Sequence, residues 1–197
     1  MHRKPLLELL DRYEAWHPGE GACVARVRAL VHAHPDCFER RCVPGHVTGS
    51  AFVASADLAR VLLVHHRKLD RWLQPGGHAD GESDVAQVAL REATEETGLA
   101  GLRFLGPDGT PAAHEAPAPF DLDVHEIPAR PGEPAHDHHD VRFLLVAAPG
   151  AEEARASAES HAVRWFPIEA LGALGVDEGV LRMARKLRAL PSARGTR

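Results

Sequence analysis

The chain has 197 residues, 44% of them hydrophobic, which is enough for one domain with a substantial core and an extension but too short for two full domains. Its formal net charge of −5 argues against a general nucleic-acid binder or a protein that binds anionic membranes. Three cysteines without a paired framework, no signal-like apolar run and no stretch of about 18 to 20 apolar residues predict a cytoplasmic protein with no membrane partner.

Two helices are predicted ahead of the main domain. Residues 5–16 carry apolar side chains at helical spacing after a proline, and a second stretch with an apolar stripe at 24–31 ends at a His-Pro pair. We interpret residues 1–44 as a helical hairpin extension that either packs on the domain or forms a homodimer contact. Two histidines and two cysteines lie at the end of this extension: His32, His34, Cys37 and Cys42. A zinc site is not favoured there, because their spacing matches neither Cys-x-x-Cys nor two histidines on one helix face.

Two strands are predicted next, at 46–55 and 60–66, as a hairpin that leads toward a glycine-rich loop. Lys68 and Arg71 follow the hairpin. This positive pair either meets a substrate phosphate or is simply solvated.

The glycine-rich loop runs directly into a predicted helix. Gly76 and Gly77 leave little side-chain bulk, so that backbone can approach a phosphate closely. Asp84 is a suitable N-cap and Gly98 a suitable C-terminal stop, which predicts a helix over residues 85–97.

Three glutamates at positions i, i+3 and i+4 lie in that helix. Glu92, Glu95 and Glu96 therefore share one face, and their carboxylates converge on one small patch. Like charges so placed destabilise a helix by roughly 0.2–0.5 kcal/mol per pair, a cost that a divalent cation among them removes. A glycine-rich loop beside such a patch is suited to a metal-bridged diphosphate.

The second half of the chain alternates strands and loops before two final helices. Strands are predicted at 102–105, 120–127, 141–147 and 163–167, a Pro- and Ala-rich loop at 107–119, helices at 168–174 and 178–190, and a frayed tail at 191–197.

A polar run precedes the strand predicted at 141–147. If the extended conformation begins at His136, then His136, His138, Asp140 and Arg142 share one strand face. This face is interpreted equally as a substrate wall, as a second metal site or as a polar strand end at the surface.

Residues 77–99 resemble the signature of the Nudix hydrolases. Gly77 stands at the first position, and residues 91–99 match the closing Arg-Glu-apolar-any-Glu-Glu-any-Gly-apolar segment. One position departs: Ser83 replaces the first Glu, with Glu82 one residue earlier. In the family this Glu mainly supports the loop, often by pairing with the arginine, so we expect Glu82 to substitute.

The resemblance implies an α/β fold of the Nudix type: an α/β/α sandwich with a mixed sheet, here at residues 45–190. The helix with the glutamates is expected on one side of the sheet and the C-terminal helix on the other. Residues 191–197 are expected to form a flexible tail.

The resemblance also implies an activity, the metal-dependent hydrolysis of a nucleoside diphosphate linked to another moiety, by attack of water on phosphorus. Glu92, Glu95 and Glu96 would hold one to three Mg²⁺ or Mn²⁺ ions, and one of them, or Glu159 before the last strand, would take the proton. The partner is a small-molecule diphosphate.

Other residues receive supporting roles from the same resemblance. Arg91 is expected to pair with Glu82 or Glu95, and Gly98 to end the helix. Substrate contacts are expected from Gly76, Gly77, His78, Arg71, His138 and Arg142.

Two other functions stay open. One is a non-catalytic nucleotide sensor or regulator, although a pure binding domain has no need of repelling carboxylates. The other resembles isopentenyl diphosphate isomerase, which has a histidine-rich metal site, but Gly76 stands where that enzyme has its catalytic cysteine. A transition metal at His46 and His78, or at residues 136–139, remains a separate hypothesis.

Overall fold

The computed structural model describes residues 2–112, 117–151, 153–158 and 160–190. The helices are α1 (Lys4–Trp16), α2 (Gly21–Ala33), α3 (Val85–Thr97), α4 (Leu171–Leu174) and α5 (Glu178–Ala189), with short 3-10 turns at Pro18–Glu20 and Ile168–Ala170. The strands are β1 (Gly45–Ala54), β2 (Arg60–His66), β3 (Arg71–Leu73), β4 (Gly76–His78), β5 (Arg103–Leu105), β6 (Asp121–Ile127), β7 (His136–Val146) and β8 (Ser160–Pro167).

The sheet is mixed and is centred on β1 and β7. These two strands run parallel and pair along their length, from Gly45 opposite Asp137 to Ala54 opposite Val146. All other pairings are antiparallel, and the sheet forks: the first half of β1 pairs with β4 and its end with β2, while the first half of β7 pairs with β6 and its end with β5. β2 also pairs with β3 and β8.

Alternation along the central strands divides the apolar side chains between two cores. In β7, Phe143 and Leu145 belong to the core that α1, α2 and α3 share, whereas Leu144 and Val146 belong to the core under α4 and α5. Successive side chains of a strand point to opposite faces, so one strand serves both cores. The expected α/β/α sandwich is therefore the observed architecture.

The N-terminal hairpin packs on the domain. Leu10 and Val27 are fully buried in the core that includes α3. The hydroxyl of Tyr13, also buried, donates to Glu20 and accepts from Lys186 Nζ of α5 at 2.8 Å. The extension therefore packs on the domain, and a homodimer contact through it stays a prediction.

Most predicted elements occur within a residue or two of their expected bounds. β3 and β4 are not predicted as strands, because three residues are too few for a period-two pattern. β7 begins at His136, so the polar residues before its apolar run belong to the strand. The tail at 191–197 lies outside the described residues. Within the described residues, no helix combines the length and apolar character needed to cross a membrane.

Candidate active site

Helix α3 begins and ends as its sequence predicts. The carboxylate of Asp84 accepts a hydrogen bond from the backbone N–H of Gln87 at 3.2 Å, which caps the first turn. Gly98 adopts a left-handed backbone with φ of +67° and donates from its N–H to Thr94 O. This fixed helix sets the positions of the three glutamates.

The three glutamates differ in exposure and in backbone contacts. Glu96 is 7% exposed, and its Oε2 accepts a hydrogen bond from the N–H of Gly76 at 3.1 Å. The side chain of Glu92 is 16% exposed, whereas that of Glu95 is 61% exposed. Two carboxylates therefore lie against the glycine-rich strand β4, and the third reaches solvent.

Gly77 approaches Glu92 so closely that no side chain fits between them. A Cβ atom at Gly77 would stand 2.6 Å from each carboxylate oxygen of Glu92. The glycine at the first position of the signature thus makes room for a carboxylate beside backbone.

Arg91 is the cation of this patch. Its Nη1 lies 2.7 Å from Glu92 Oε1 and 3.3 Å from Glu95 Oε2, and Nη2 donates to the carbonyl of His78 at 3.4 Å. Of the two partners expected for Arg91, Glu95 is the one observed. Glu82 instead accepts from the N–H of Asp84 at 2.8 Å and stays within its own turn.

These glutamates are among the residues that line a cleft of about 750 Å³. We call the part that they line the acidic end and define it by Glu92, Glu95 and Glu96. The other part, the histidine end, is formed by His46, His78, His136 and His138. All but His46, which is buried, line the cleft.

The imidazole rings of the histidine end are packed together. The ring centroid of His46 lies 4.9 Å from those of His136 and His138 and 5.1 Å from that of His78. His125 borders the group, with its centroid 5.6 Å from that of His138. The structure thus joins histidines that the sequence left in two separate hypotheses.

Burial favours the neutral form of three of these rings, those of His46, His78 and His138. It lowers the pKa of His138 to about 2 and that of His78 to about 4, and it also lowers the pKa of His46. Neighbouring charges add to the effect, those of the other histidines for His138 and that of Arg40 for His78. Neutral imidazole is the form that binds a metal.

Asp140 lies on the cleft wall, on the strand face expected from alternation. Its two oxygens accept from Thr48 Oγ1 at 2.9 Å and Ser50 Oγ at 2.8 Å, and Arg142 Nε donates to it at 2.7 Å. Both hydroxyl partners come from β1. They were not predicted, because nothing local in the sequence pairs β1 with β7.

Arg142 departs from its expected place on the substrate wall. Its guanidinium is 3% exposed and bonds to three carboxylates, those of Asp140, Asp121 and Asp123. Asp121 is itself paired with Lys186 and Arg182 of α5. Arg142 therefore connects β6 and β7 in a buried ion network behind the cleft.

The other residues that the sequence predicts as substrate contacts also differ in whether they line the cleft. His138 lines the cleft, as does Lys68, whereas Arg71 is exposed on β3 outside the lining. Arg40 and Arg130 also line the cleft, and sequence reasoning missed both because each stands in a loop without a motif. Glu159 lies outside the described residues.

A second, smaller cluster arises near the N-terminal hairpin. The candidate ligand atoms of His34, Asp36 and Cys42 lie within 4.8 Å of one another, which their spacing did not indicate. Burial, followed by the charge of Asp36, raises the pKa of the Cys42 thiol to about 11. A thiol held protonated is a poor metal ligand.

The donor set of the acidic end fits a hard divalent cation. Carboxylate oxygens are the ligands that Mg²⁺ prefers. Glu96 accepts a hydrogen bond from the backbone of Gly76, and Glu92 lies where only a glycine at position 77 leaves room for it. Arg91 supplies one positive charge against three negative ones. The patch therefore favours further cations.

Comparison with known proteins agrees with this site. A family model described as NUDIX domain matches residues 46–188. The chain belongs to the Nudix hydrolase family. Over 63 residues it is 38% identical to Nucleoside diphosphate-linked moiety X motif 6 of Xenopus laevis, a stretch that covers 29% of either chain. The match thus spans less than a third of the length of this curated relative.

Solved structures are similar in fold. A NUDIX-family hydrolase from Clostridium perfringens superposes with a TM-score of 0.56 at 23% identity, over 74% of this chain and 98% of that one. An Ap4A hydrolase from C. elegans gives a TM-score of 0.54 at 18% identity, over 73% of this chain and 95% of that one. At these identities the likeness establishes the Nudix fold.

Proposed function

We propose that the protein hydrolyses the pyrophosphate linkage of a nucleoside diphosphate joined to another moiety, with Mg²⁺ or Mn²⁺ as cofactor. One observation carries the proposal: three carboxylates of α3 and the backbone of Gly76 and Gly77 meet at one end of an open cleft. This arrangement suits an anionic diphosphate only when a cation offsets the charge of the carboxylates.

Glu92, Glu95 and Glu96 are the residues that would hold the cation. When bound, such an ion offsets phosphate charge and makes water a stronger nucleophile at neutral pH. The hydrogen bond from Gly76 to Glu96 orients that carboxylate. Arg91 restrains Glu92 and Glu95, so it positions the site rather than contacting phosphorus. One of the three glutamates, or Glu159, takes the proton of the attacking water.

The cleft has a volume of about 750 Å³ and many lining residues besides the glutamates, which leaves room for the group attached to the diphosphate. Lys68, Arg40 and Arg130 provide cations along its lining, and His78 and His138 provide neutral donors or acceptors. The names of two similar proteins, an Ap4A hydrolase and a nucleoside diphosphate-linked moiety X motif protein, support a nucleotide as one half of the substrate. A cleft of this volume with several cations in its lining suits such a two-part molecule.

A product-release assay tests the proposal. Purified protein with Mg²⁺ or Mn²⁺ is offered ADP-ribose, nucleotide sugars, NADH, coenzyme A, dinucleoside polyphosphates and nucleoside triphosphates. Glu96→Gln keeps an oxygen that accepts from Gly76 but removes the charge that holds the cation. We expect it to lower turnover by at least about 100-fold, since such an ion contributes several kcal/mol to catalysis.

The matched control is Glu169→Gln, an exposed glutamate outside the cleft lining. It should keep full turnover. Turnover that survives in Glu96→Gln, or tight nucleotide binding with no hydrolysis of any compound, would contradict the proposal.

A further inference from the structure

The proposed hydrolysis takes place at the acidic end of the cleft, and it uses the histidine end only for substrate contacts by His78 and His138. Yet the histidine end contains the most unusual buried groups near the site. His46 is 1% exposed, and neither of its ring nitrogens has a hydrogen-bond partner among the described residues. Nε2 of His136, a residue 6% exposed, likewise has none.

Buried polar nitrogens without partners are costly. Each leaves a desolvation penalty of about 1–3 kcal/mol, and the great majority of such groups in folded proteins are satisfied. Three of them in adjacent rings mark this cluster as a candidate ligand site. A ligand that accepts nitrogen lone pairs would satisfy two of them together, one nitrogen of His46 and Nε2 of His136.

Strand pairing holds these rings in place. β1 and β7 run parallel with His46 opposite His138, and β4 pairs with β1 so that Thr48 is opposite His78. His136 and His138 share a strand face because they are two residues apart. Four imidazoles are thus fixed by backbone hydrogen bonds of three strands rather than by flexible loops.

The spacing of the nitrogens suits one ion. Ligand atoms of His46, His136 and His138 all lie within 4.8 Å of one another. Tetrahedral Zn–N bonds of about 2.0–2.1 Å place donor nitrogens about 3.3 Å apart, so small ring rotations would close the site. Nδ1 of His136 already donates a hydrogen bond to the carbonyl of Pro134 at 2.9 Å. The lone pair of Nε2 is therefore the one left for a metal.

We propose that His46, His136 and His138 bind a divalent transition metal of the Zn²⁺ class, separate from the cation of the acidic end. Imidazole suits this class, whereas Mg²⁺ prefers oxygen ligands. Three protein ligands leave a coordination position toward the cleft, where His78 or an oxygen of a bound ligand can occupy it. The cleft would then hold a hard cation at one end and a borderline-soft one at the other.

The competing cluster of His34, Asp36 and Cys42 has weaker features. His34 is half-buried and Asp36 is exposed, so water can satisfy their polar atoms. The Cys42 thiol is held in its protonated form. The test must nonetheless separate the two clusters, and sulfur ligation does so by spectroscopy.

The experiment uses the full chain without a histidine tag, stripped with chelator and titrated with Co²⁺ and then Zn²⁺ in excess Mg²⁺, which occupies the acidic end. We expect one Co²⁺ per chain, with visible ligand-field bands of a low-coordinate site and no thiolate charge-transfer band, displaced by one Zn²⁺. His138→Gln should weaken Zn²⁺ binding by at least about 100-fold, because it removes a direct ligand.

Three variants complete the test. His136→Asn provides a second ligand removal in case one variant folds poorly, and a thermal melt verifies each fold. His125→Gln is the matched control, since this ring borders the cluster but bonds to Asp123 at 3.0 Å, and it should keep Zn²⁺ binding. Cys42→Ser should also keep it. Stoichiometric binding that survives both ligand removals, binding lost in Cys42→Ser, or no binding above background would overturn the proposal.

Discussion

The two ends of the cleft differ in ligand chemistry and in how the chain builds them. The three glutamates of the acidic end stand within five consecutive residues of one helix, and their spacing alone places them on one face. The histidines come from β1, β4 and β7, distant in the sequence, and only strand pairing unites them. One end is built by local periodicity and the other by sheet topology.

The supports of the two ends differ as well. The acidic end rests on the packing of α3 and on Arg91 of the same helix. Next to the histidine end, β6 and β7 are tied to α5 by the buried ions around Arg142 and Asp121. Removing an ion there should therefore cost stability, whereas changes at the acidic end should cost activity.

The largest effect is expected from Asp121→Asn. Burial alone would raise the pKa of Asp121, but hydrogen bonding to Arg182 and the charges of Arg142 and Lys186 keep it below its usual value near 3.8. Removing one partner of a buried ion network leaves uncompensated charge, so we expect the free energy of unfolding to fall by about 3–5 kcal/mol. Urea unfolding at pH 7 measures it.

The same carboxylate predicts a pH dependence. Because its pKa is lower in the folded than in the unfolded protein, its contribution is present above about pH 4 and is lost as the pH falls through and below that value. Asp121→Asn should therefore make stability less dependent on pH on the acidic side.

The control variant is Glu8→Gln. It breaks an exposed pair with Lys4 and should change the free energy of unfolding by under about 0.5 kcal/mol. Equal effects of the two variants would contradict the claim that the buried ions around Asp121 stabilise the fold.

Gly77→Ala should produce the next largest effect. The new Cβ would displace the carboxylate of Glu92, a flexible side chain, while backbone stays in place. We expect Mn²⁺ affinity at the acidic end to fall by about 10- to 100-fold, measured by calorimetry, with stability nearly unchanged.

Gly45→Ala is the contrasting substitution. There the new Cβ would stand 2.5 Å from the backbone oxygen of Asp137, where β1 meets β7. Strand backbone cannot move as a side chain does, so we expect a loss of about 1–3 kcal/mol of stability and little change in Mn²⁺ affinity. If Gly77→Ala lost stability and Gly45→Ala did not, the assignment of the two supports would be wrong.

The smallest effects concern the two cations after the β-hairpin. Lys68 lines the cleft and Arg71 does not. An exposed charge pair contributes little free energy, so Lys68→Ala should raise KM by up to about fivefold. Arg71→Ala should raise KM by less than about twofold. Steady-state kinetics on the best substrate measures both, and a larger effect at Arg71 would refute the placement of the cleft.

The sequence predicted those features that depend on neighbours along the chain. Capping by Asp84, the stop at Gly98 and the alternation of His136, His138 and Asp140 all follow from local periodicity. The fate of Arg142 could not be predicted, since its carboxylate partners Asp121 and Asp123 belong to another strand.

The same limit applies to the histidine end. Alternation placed His136 and His138 on one face, and each of His46 and His78 stands at a strand, but the parallel pairing of β1 with β7 decides that the rings meet. Parallel pairing leaves no short turn in the sequence to reveal it. Ser83 stands where the signature has its first Glu. The neighbouring Glu82 bonds within its own turn instead of pairing with Arg91.

Whether one cleft holds two classes of metal is decided by competitive loading of wild type, Glu96→Gln and His138→Gln with Mn²⁺ and Zn²⁺. Each metal is counted per chain by elemental analysis after removal of free ions. We expect Glu96→Gln to lose Mn²⁺ and keep Zn²⁺, and His138→Gln to lose Zn²⁺ and keep Mn²⁺. Loss of both metals from either folded variant, or retention of both in each, would contradict this expectation.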